Sequence, residues 1–251
     1  MSRWRDAGIT AIMTVYNRPY CLLEQFKAII NQTVTPEEIF IWINKGVKRE
    51  EVCEQLDKII ALSPEVRVID CNYNWKFHGR FTLPLLARTE YVAMFDDDTI
   101  PGRKWFENCL ESMETARGIM GTVGILLQGP SYSPFIRHGW PSRNEHITKV
   151  DLVGHAWFFA QEWAKYMWYE APAMWDNGED IMFSYLCQKY GGIKTFVPPH
   201  PKKDTEFWGS IKSKYGADDA ANCIVAPNHG QERDQVVRSC CNHGWKLVCG
   251  R

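Results

Sequence analysis

This sequence predicts an α/β protein with a mostly parallel central sheet flanked by helices, and three observations carry that prediction. Apolar runs of strand length alternate with amphipathic stretches of helix length through the first half of the chain. Each run ends in polar, turn-forming residues, as strands leading into loops do. The 251 residues are 45% hydrophobic and 24% charged, a balance that supplies one substantial core.

Ile9 to Val15 reads as a buried strand, and the turn Tyr16-Asn17-Arg18-Pro19 leads into a helix that places Leu22, Leu23, Phe26, Ile29 and Ile30 on one face. Glu38 to Ile43 is the second strand, ending in Asn44-Lys45-Gly46. Glu50 to Leu62 is a helix with Val52, Leu56, Ile59 and Ile60 at helical spacing. Val66 to Ile69 is a third short strand, followed by the polar stretch Asp70-Cys71-Asn72-Tyr73-Asn74. A helix is predicted over Leu83 to Arg88, and the strand Tyr91 to Phe95 runs into three adjacent aspartates, Asp96-Asp97-Asp98.

The second half is less regular. Met120 to Leu127 and Val150 to Phe159 are strand-like, and the Gly-, Pro- and Ser-rich stretch from Gln128 to Asn144 reads as a long loop. Asp180 to Tyr190 has a helical pattern, and Ile193 to Val197 is a strand stopped by Pro198-Pro199-His200-Pro201. Short helices are expected near Phe207 to Tyr215 and Gln231 to Cys240. The division expected is one domain over 1–251, with a first half at about 9–102 and a second at about 118–251.

Composition excludes several classes. Lys and Arg total 29 against 30 Asp and Glu, so no net field draws the chain to nucleic acid or to an anionic bilayer. No apolar run approaches the ~20 residues of a membrane span, and Met1 to Asp6 lacks the apolar segment of a signal peptide, so a cytoplasmic location is expected. Nine cysteines, an odd number without C-x-x-C spacing, are expected to be reduced, with Cys240-Cys241 the pair that a disulfide or metal would use.

Like charges as close as Asp96, Asp97 and Asp98 raise one another's proton affinity, and a divalent cation held by hard oxygen ligands is the usual compensation. Parallel strands share one direction, so their carboxyl ends bring Tyr16-Asn17-Arg18, Asn44-Lys45 and Asp70-Cys71-Asn72 to the edge that carries the aspartates. An aromatic ring, amides, cations and a metal-binding cluster together suit a nucleoside diphosphate. The competing reading is local: an acidic turn in which Asp98 or Thr99 caps a helix beginning near Arg103.

Several motifs resemble the nucleotide-sugar glycosyltransferases of the GT-A, Rossmann-like type, especially the family 2 and exostosin-like enzymes. Thr14-Val15-Tyr16-Asn17-Arg18 resembles their opening strand and nucleotide loop, and Met94-Phe95-Asp96-Asp97-Asp98 resembles their D-x-D motif. Asn72 with Gly79-Arg80-Phe81-Thr82-Leu83-Pro84 is similar to the exostosin N-R-F-x-P stretch, with different spacing. Gly178-Glu179-Asp180-Ile181 is similar to a later E-D motif, and Val153-Gly154-His155-Ala156-Trp157 to the acceptor-side segment between them. The likeness runs in order over about residues 9 to 200, and the chain also resembles glycosyltransferases of large algal viruses.

The resemblance implies a metal-dependent transferase that moves a sugar from a nucleotide diphosphate sugar, a UDP-sugar first, to a hydroxyl of a glycan or glycoconjugate. Asp96 and Asp98 would hold Mn2+ or Mg2+, and Asp97, pointing the other way along an extended strand end, would contact ribose or stay structural. In this single catalytic domain the half at about 9–102 would bind the nucleotide sugar, with Thr14, Tyr16, Asn17, Arg18, Asn44, Asn72 and Arg80 contacting the donor, and the half at about 118–251 would bind the acceptor. Asp180 would be the general base of an inverting reaction, with Glu179 beside it orienting the site; in a retaining one the same carboxylate would stabilise the cationic sugar. Acidic residues also favour a helix N-terminus, with Asn177 as its cap, so Glu179 and Asp180 have a structural reading as well. A late histidine would be the third metal ligand, His229 with His200 as rival. The alternatives are a sugar nucleotidyltransferase, against which Tyr16-Asn17-Arg18-Pro19 lacks a glycine-rich phosphate loop, and a non-catalytic sugar-nucleotide-binding module of the same fold.

Overall fold

The structure is a computed structural model that describes residues 8–211 and 227–250. Four strands form its first half: β1 (Ile9–Val15), β2 (Glu38–Ile43), β3 (Arg67–Asp70) and β4 (Tyr91–Phe95), all parallel in the order β3-β2-β1-β4. The crossovers are α1 (Pro19–Ile30) and α2 (Arg49–Leu62). Pro19 opens α1, where its missing N–H would have no partner anyway. The buried face of α1 carries Leu22, Phe26 and Ile29 into the core, each contributing about 1.5–3 kcal/mol by leaving water.

Beyond β4 the sheet changes direction. β5 (Gly118–Leu127) and β8 (Leu152–Ala160) pair antiparallel, and β8 runs antiparallel to β4 in the register Phe95↔Ala156. β9 (Lys194–Val197) is parallel to β5, β7 (Thr148–Val150) lies antiparallel on the edge, and β6 (Phe135–Gly139) pairs with β5. The sheet is therefore parallel through its first four strands and mixed through the rest, and it runs without interruption through both halves of the chain. Three further helices are α3 (Trp105–Thr115), α4 (Glu179–Gly191) and α5 (His229–Asn242).

Several local expectations differ from the structure. The helix expected at Leu83 to Arg88 is a 3-10 turn at Gly79–Leu86, where Pro84 offers no N–H for an α-helical ladder. The expected loop from Gln128 to Asn144 contains β6, whose exposed Phe135, Ile136 and Arg137 show no inside-outside alternation. The helix expected near Phe207 to Tyr215 is a 3-10 turn at Thr205–Phe207, and 212–215 lie outside the described residues. Neither Asp98 nor Thr99 caps the following helix, which starts at Trp105 after Lys104 with no side-chain cap. Among the described residues eight cysteines are free, Cys240 and Cys241 included. No helix among the described residues is long and apolar enough to cross a membrane.

Candidate active site

The acidic loop leaves β4 at the carboxyl end of the parallel strands and is fastened from two sides. Gln25 of α1, buried, donates through Nε2 to the carbonyls of Asp96 and Thr99, each at 2.7 Å. Thr14 Oγ1 donates to the Phe95 carbonyl at 2.7 Å, which is how that residue of the nucleotide loop is used here.

Antiparallel β8 brings its own start against this loop. The Asp96 amide donates to the His155 carbonyl at 2.8 Å, and Thr99 Oγ1 donates to the same oxygen at 2.9 Å. His155 adopts φ 66°, a left-handed conformation that histidine tolerates better than most residues, and one that recurs at functional sites. Ligand atoms of Asp96, Asp98 and His155 all lie within 4.8 Å of one another. Two carboxylates and one imidazole form a donor set that suits a divalent cation such as Mn2+ or Mg2+. Burial lowers the pKa of His155, keeping the ring neutral and its lone pair free to coordinate.

Asp97 takes another partner. Arg18 Nη1 lies 2.6 Å from Asp97 Oδ1 and 3.3 Å from Asp98 Oδ2. Burial pushes the Asp97 carboxyl up to about 6, with Asp98 adding to the rise and Arg18 opposing it.

Arg80 connects the acidic loop to α4. It is buried, its guanidinium lies over the Trp157 ring at 4.6 Å, and it pairs with Asp96 through Nη1 and with Glu179 through Nη2 at 2.8 Å. Burial pushes the Glu179 carboxyl up to about 7, and Asp180 adds to the rise. Asp180 is held from the opposite side by Arg233 of α5, whose Nη2 donates to Oδ2 at 2.7 Å. The Arg233 guanidinium stacks 4.5 Å from the centre of the Tyr132 ring. Gly154 faces Asp180: a Cβ there would sit 3.8 Å from Oδ2, in ordinary van der Waals contact with the carboxylate.

The start of α4 differs from expectation. Its N-cap is Gly178 at φ 80°, where a Cβ would meet Val236 of α5 at 2.9 Å. Asn177 is not the cap. Its Oδ1 accepts from the Gly178 amide at 2.8 Å, and its Nδ2 donates to His229 Nδ1 at 3.1 Å and to Glu232 at 2.9 Å.

His229 stands at the first position of α5, in that contact with Asn177, and outside the group formed by Asp96, Asp98 and His155. His200 is buried elsewhere, Nδ1 donating to the Pro198 carbonyl at 2.9 Å and Nε2 accepting from the Gly209 amide at 3.2 Å. On the strand-end loops Tyr16 is 40% exposed and available for stacking. Asn17 Oδ1 accepts from the Val47 amide at 3.0 Å, and Asn44 donates to Asn74 at 2.7 Å while accepting from the Trp75 amide at 2.9 Å. These amides order neighbouring loops. Asn72 and Lys45 are exposed just past the ends of β3 and β2.

Sequence reasoning missed Arg233 and Gln25, and it placed His155 on the acceptor side rather than beside the aspartates. Gln25 carries a readable signal, since a polar residue on the apolar face of α1 needs a buried partner. Arg233 carries none, because its partner Asp180 is reached only through tertiary folding.

An acidic loop at the end of the parallel strands, with a reverse strand and two carboxylates on a later helix closing round it, has the GT-A architecture of glycosyltransferases. The family model described as glycosyl transferase family 2 matches residues 10–167, more than half of the chain, and the chain belongs to that family. The fold is similar to the crystal structure of GalNAc-T7 with UDP, GalNAc and Mn2+, with a TM-score of 0.61 and 13% sequence identity. That match covers 76% of this chain and 42% of the other, so the chain spans less than half of that relative's length. No curated protein sequence matches the chain.

Proposed function

We propose that this glycosyltransferase uses a UDP-linked sugar and a divalent cation, and transfers the sugar with inversion to a hydroxyl group of a glycan or glycoconjugate. One observation carries the reading: Asp96, Asp98 and His155 converge at the carboxyl end of β4, close to a second carboxylate centre at Glu179 and Asp180. GalNAc-T7 was solved with UDP, GalNAc and Mn2+, which makes UDP and Mn2+ the first pair to test.

Asp96, Asp98 and His155 would hold the cation, whose positive charge would neutralise the departing diphosphate. Tyr16 offers a ring to the base, while Arg18 and Arg80 sit where guanidinium groups can meet phosphate oxygens. Asp180 is the general base: it takes the proton of the acceptor hydroxyl as that oxygen bonds to the anomeric carbon and the nucleoside diphosphate leaves. Arg233 fixes the orientation of Asp180. Glu179, pushed up to about 7 by burial, is the second candidate for proton transfer near neutral pH.

Calorimetry of the protein against UDP-, GDP- and CDP-sugars, with and without Mn2+, tests the donor site. Binding of UDP-sugars that requires Mn2+ is expected. A folded protein that binds none of them would leave only a non-catalytic role.

A further inference from the structure

Among the described residues tryptophan is mostly interior: Trp42, Trp105, Trp140, Trp157, Trp163 and Trp245 are all buried. Trp75 and Trp175 depart from that pattern, at 55% and 57% exposed, and Tyr73 beside them is 61% exposed. Large apolar rings left in water forgo the burial energy they would gain inside, and such clusters mark binding surfaces.

The rings stand on two loops that are clamped together. Tyr73 and Trp75 pack edge to face with centroids 5.1 Å apart. Trp75 is held at the backbone, its amide donating to Asn44 Oδ1. Lys76 follows at φ 55°, and its Nζ lies 3.3 Å from Asp176 Oδ1 on the second loop. His78, buried, donates from Nδ1 to the Trp175 carbonyl at 3.1 Å and packs its ring 5.5 Å from the Trp175 indole. A carbonyl only accepts, so Nδ1 carries the proton, and burial keeps the ring neutral by lowering its pKa to about 4. The second loop continues through Asn177 into Glu179 and Asp180.

We propose that Tyr73, Trp75 and Trp175 form the stacking platform that receives a neutral saccharide acceptor and aims its hydroxyl toward Asp180. The inference rests on the glycosyltransferase reading above and names the acceptor class. Aromatic faces stack on the C–H face of a pyranose ring, and rigid rings with few torsions lose little entropy in doing so. The platform's two charged side chains, Lys76 and Asp176, neutralise each other, so it offers no unpaired charge to a uronate or sialate. Tyr16, on the β1 loop, remains for the donor base. His78 is a positioning residue that seats Trp175.

Saturation-transfer NMR tests this on the whole protein with UDP and Mn2+ present. The probes are maltotriose, cellotriose, laminaritriose, mannotriose, xylotriose, N-acetyllactosamine and, as the charged comparison, trigalacturonic acid. Saturation of the ring protons of at least one neutral saccharide is expected. Trp75→Ala and Trp175→Ala should each weaken that binding by roughly tenfold while UDP·Mn2+ affinity from calorimetry stays within about twofold. His78→Ala should weaken saccharide binding in the same sense. Both tryptophans are more than half exposed, so thermal unfolding near the parent value serves as the folding check.

No neutral saccharide bound by a protein that does bind UDP·Mn2+ would overturn the platform and leave the donor reading standing. Preference for trigalacturonic acid would overturn its neutral specificity. A tenfold loss of UDP affinity in either tryptophan variant would assign the rings to the nucleotide and also overturn it. Saccharide binding without any UDP·Mn2+ binding would support the platform and defeat the donor reading instead.

Discussion

Asp96 and His155 are joined through the main chain as well as by proximity of their side chains. The carbonyl of His155 accepts both the Asp96 amide at 2.8 Å and the Thr99 hydroxyl at 2.9 Å, so the main chain that carries the imidazole is fastened directly to the acidic loop. This fixed geometry makes His155 the stronger candidate for third ligand. His155→Ala is expected to weaken Mn2+ binding by about tenfold or more, and His229→Ala by less than about twofold. An electron paramagnetic resonance titration of Mn2+ measures both, and the reverse ranking would put His229 in the ligand set.

Asp98 is buried and belongs to the same group. Asp98→Asn removes the anionic oxygen at constant shape, so Mn2+-dependent UDP affinity should fall by about tenfold or more. Calorimetry with and without Mn2+ separates this loss from any change in metal-independent affinity.

Asp180→Asn should leave UDP·Mn2+ binding intact and lower turnover by about 10²–10⁴-fold, the usual contribution of a general base. Glu179→Gln should have a smaller effect if it orients rather than accepts the proton. Rates measured with an identified acceptor rank the two carboxylates, and a larger loss at Glu179 would exchange their roles.

Arg80 is buried between Asp96 and Glu179, so removing its charge strands two carboxylates in a low-dielectric interior. Arg80→Met should destabilise the fold by about 3–5 kcal/mol, as measured by urea unfolding without metal. A neutral result would mean that the pair contributes nothing net to stability.

In the ligand-free protein the contribution of Glu179 to stability should decline as pH rises towards neutrality. A carboxyl pushed up to about 7, as Glu179 is, binds its proton more tightly folded than unfolded. The resulting stabilisation is complete below the unfolded value of about 4.3 and disappears as pH passes the folded value. Asp97, pushed up to about 6, acts in the same sense. His78 and His200, lowered to about 4 by burial, act in the opposite sense over the same range, so the test is a difference: the Tm of Glu179→Gln should rise relative to wild type between about pH 5 and pH 8. Equal slopes would show that Glu179 titrates in its ordinary range.

What could be read from the chain was whatever local periodicity or adjacency encodes. The strand Ile9–Val15, the helices Pro19–Ile30 and Arg49–Leu62, and the aspartates after Tyr91–Phe95 each declare themselves within a short window. The pairing of β8 with β4 does not, because the direction of a strand is set by its neighbours and leaves no mark in its composition. His155 was visible as part of a motif but not as a neighbour of Asp96 for that reason. Arg233 stood on a polar helix like many surface arginines, and only the packing of α5 on α4 reveals that it is buried against Asp180. β6 was hidden because its exposed residues carry no alternation.

Arg233 also sets an order of events during synthesis. Among the described residues the sheet's nine strands end at Val197, and α5 leaves the ribosome after all of them. A nascent chain can therefore complete its sheet and assemble Asp96, Asp98 and His155 while Asp180 still lacks its guanidinium partner. The carboxylate proposed as the base is thus the last part of the site to receive its partner.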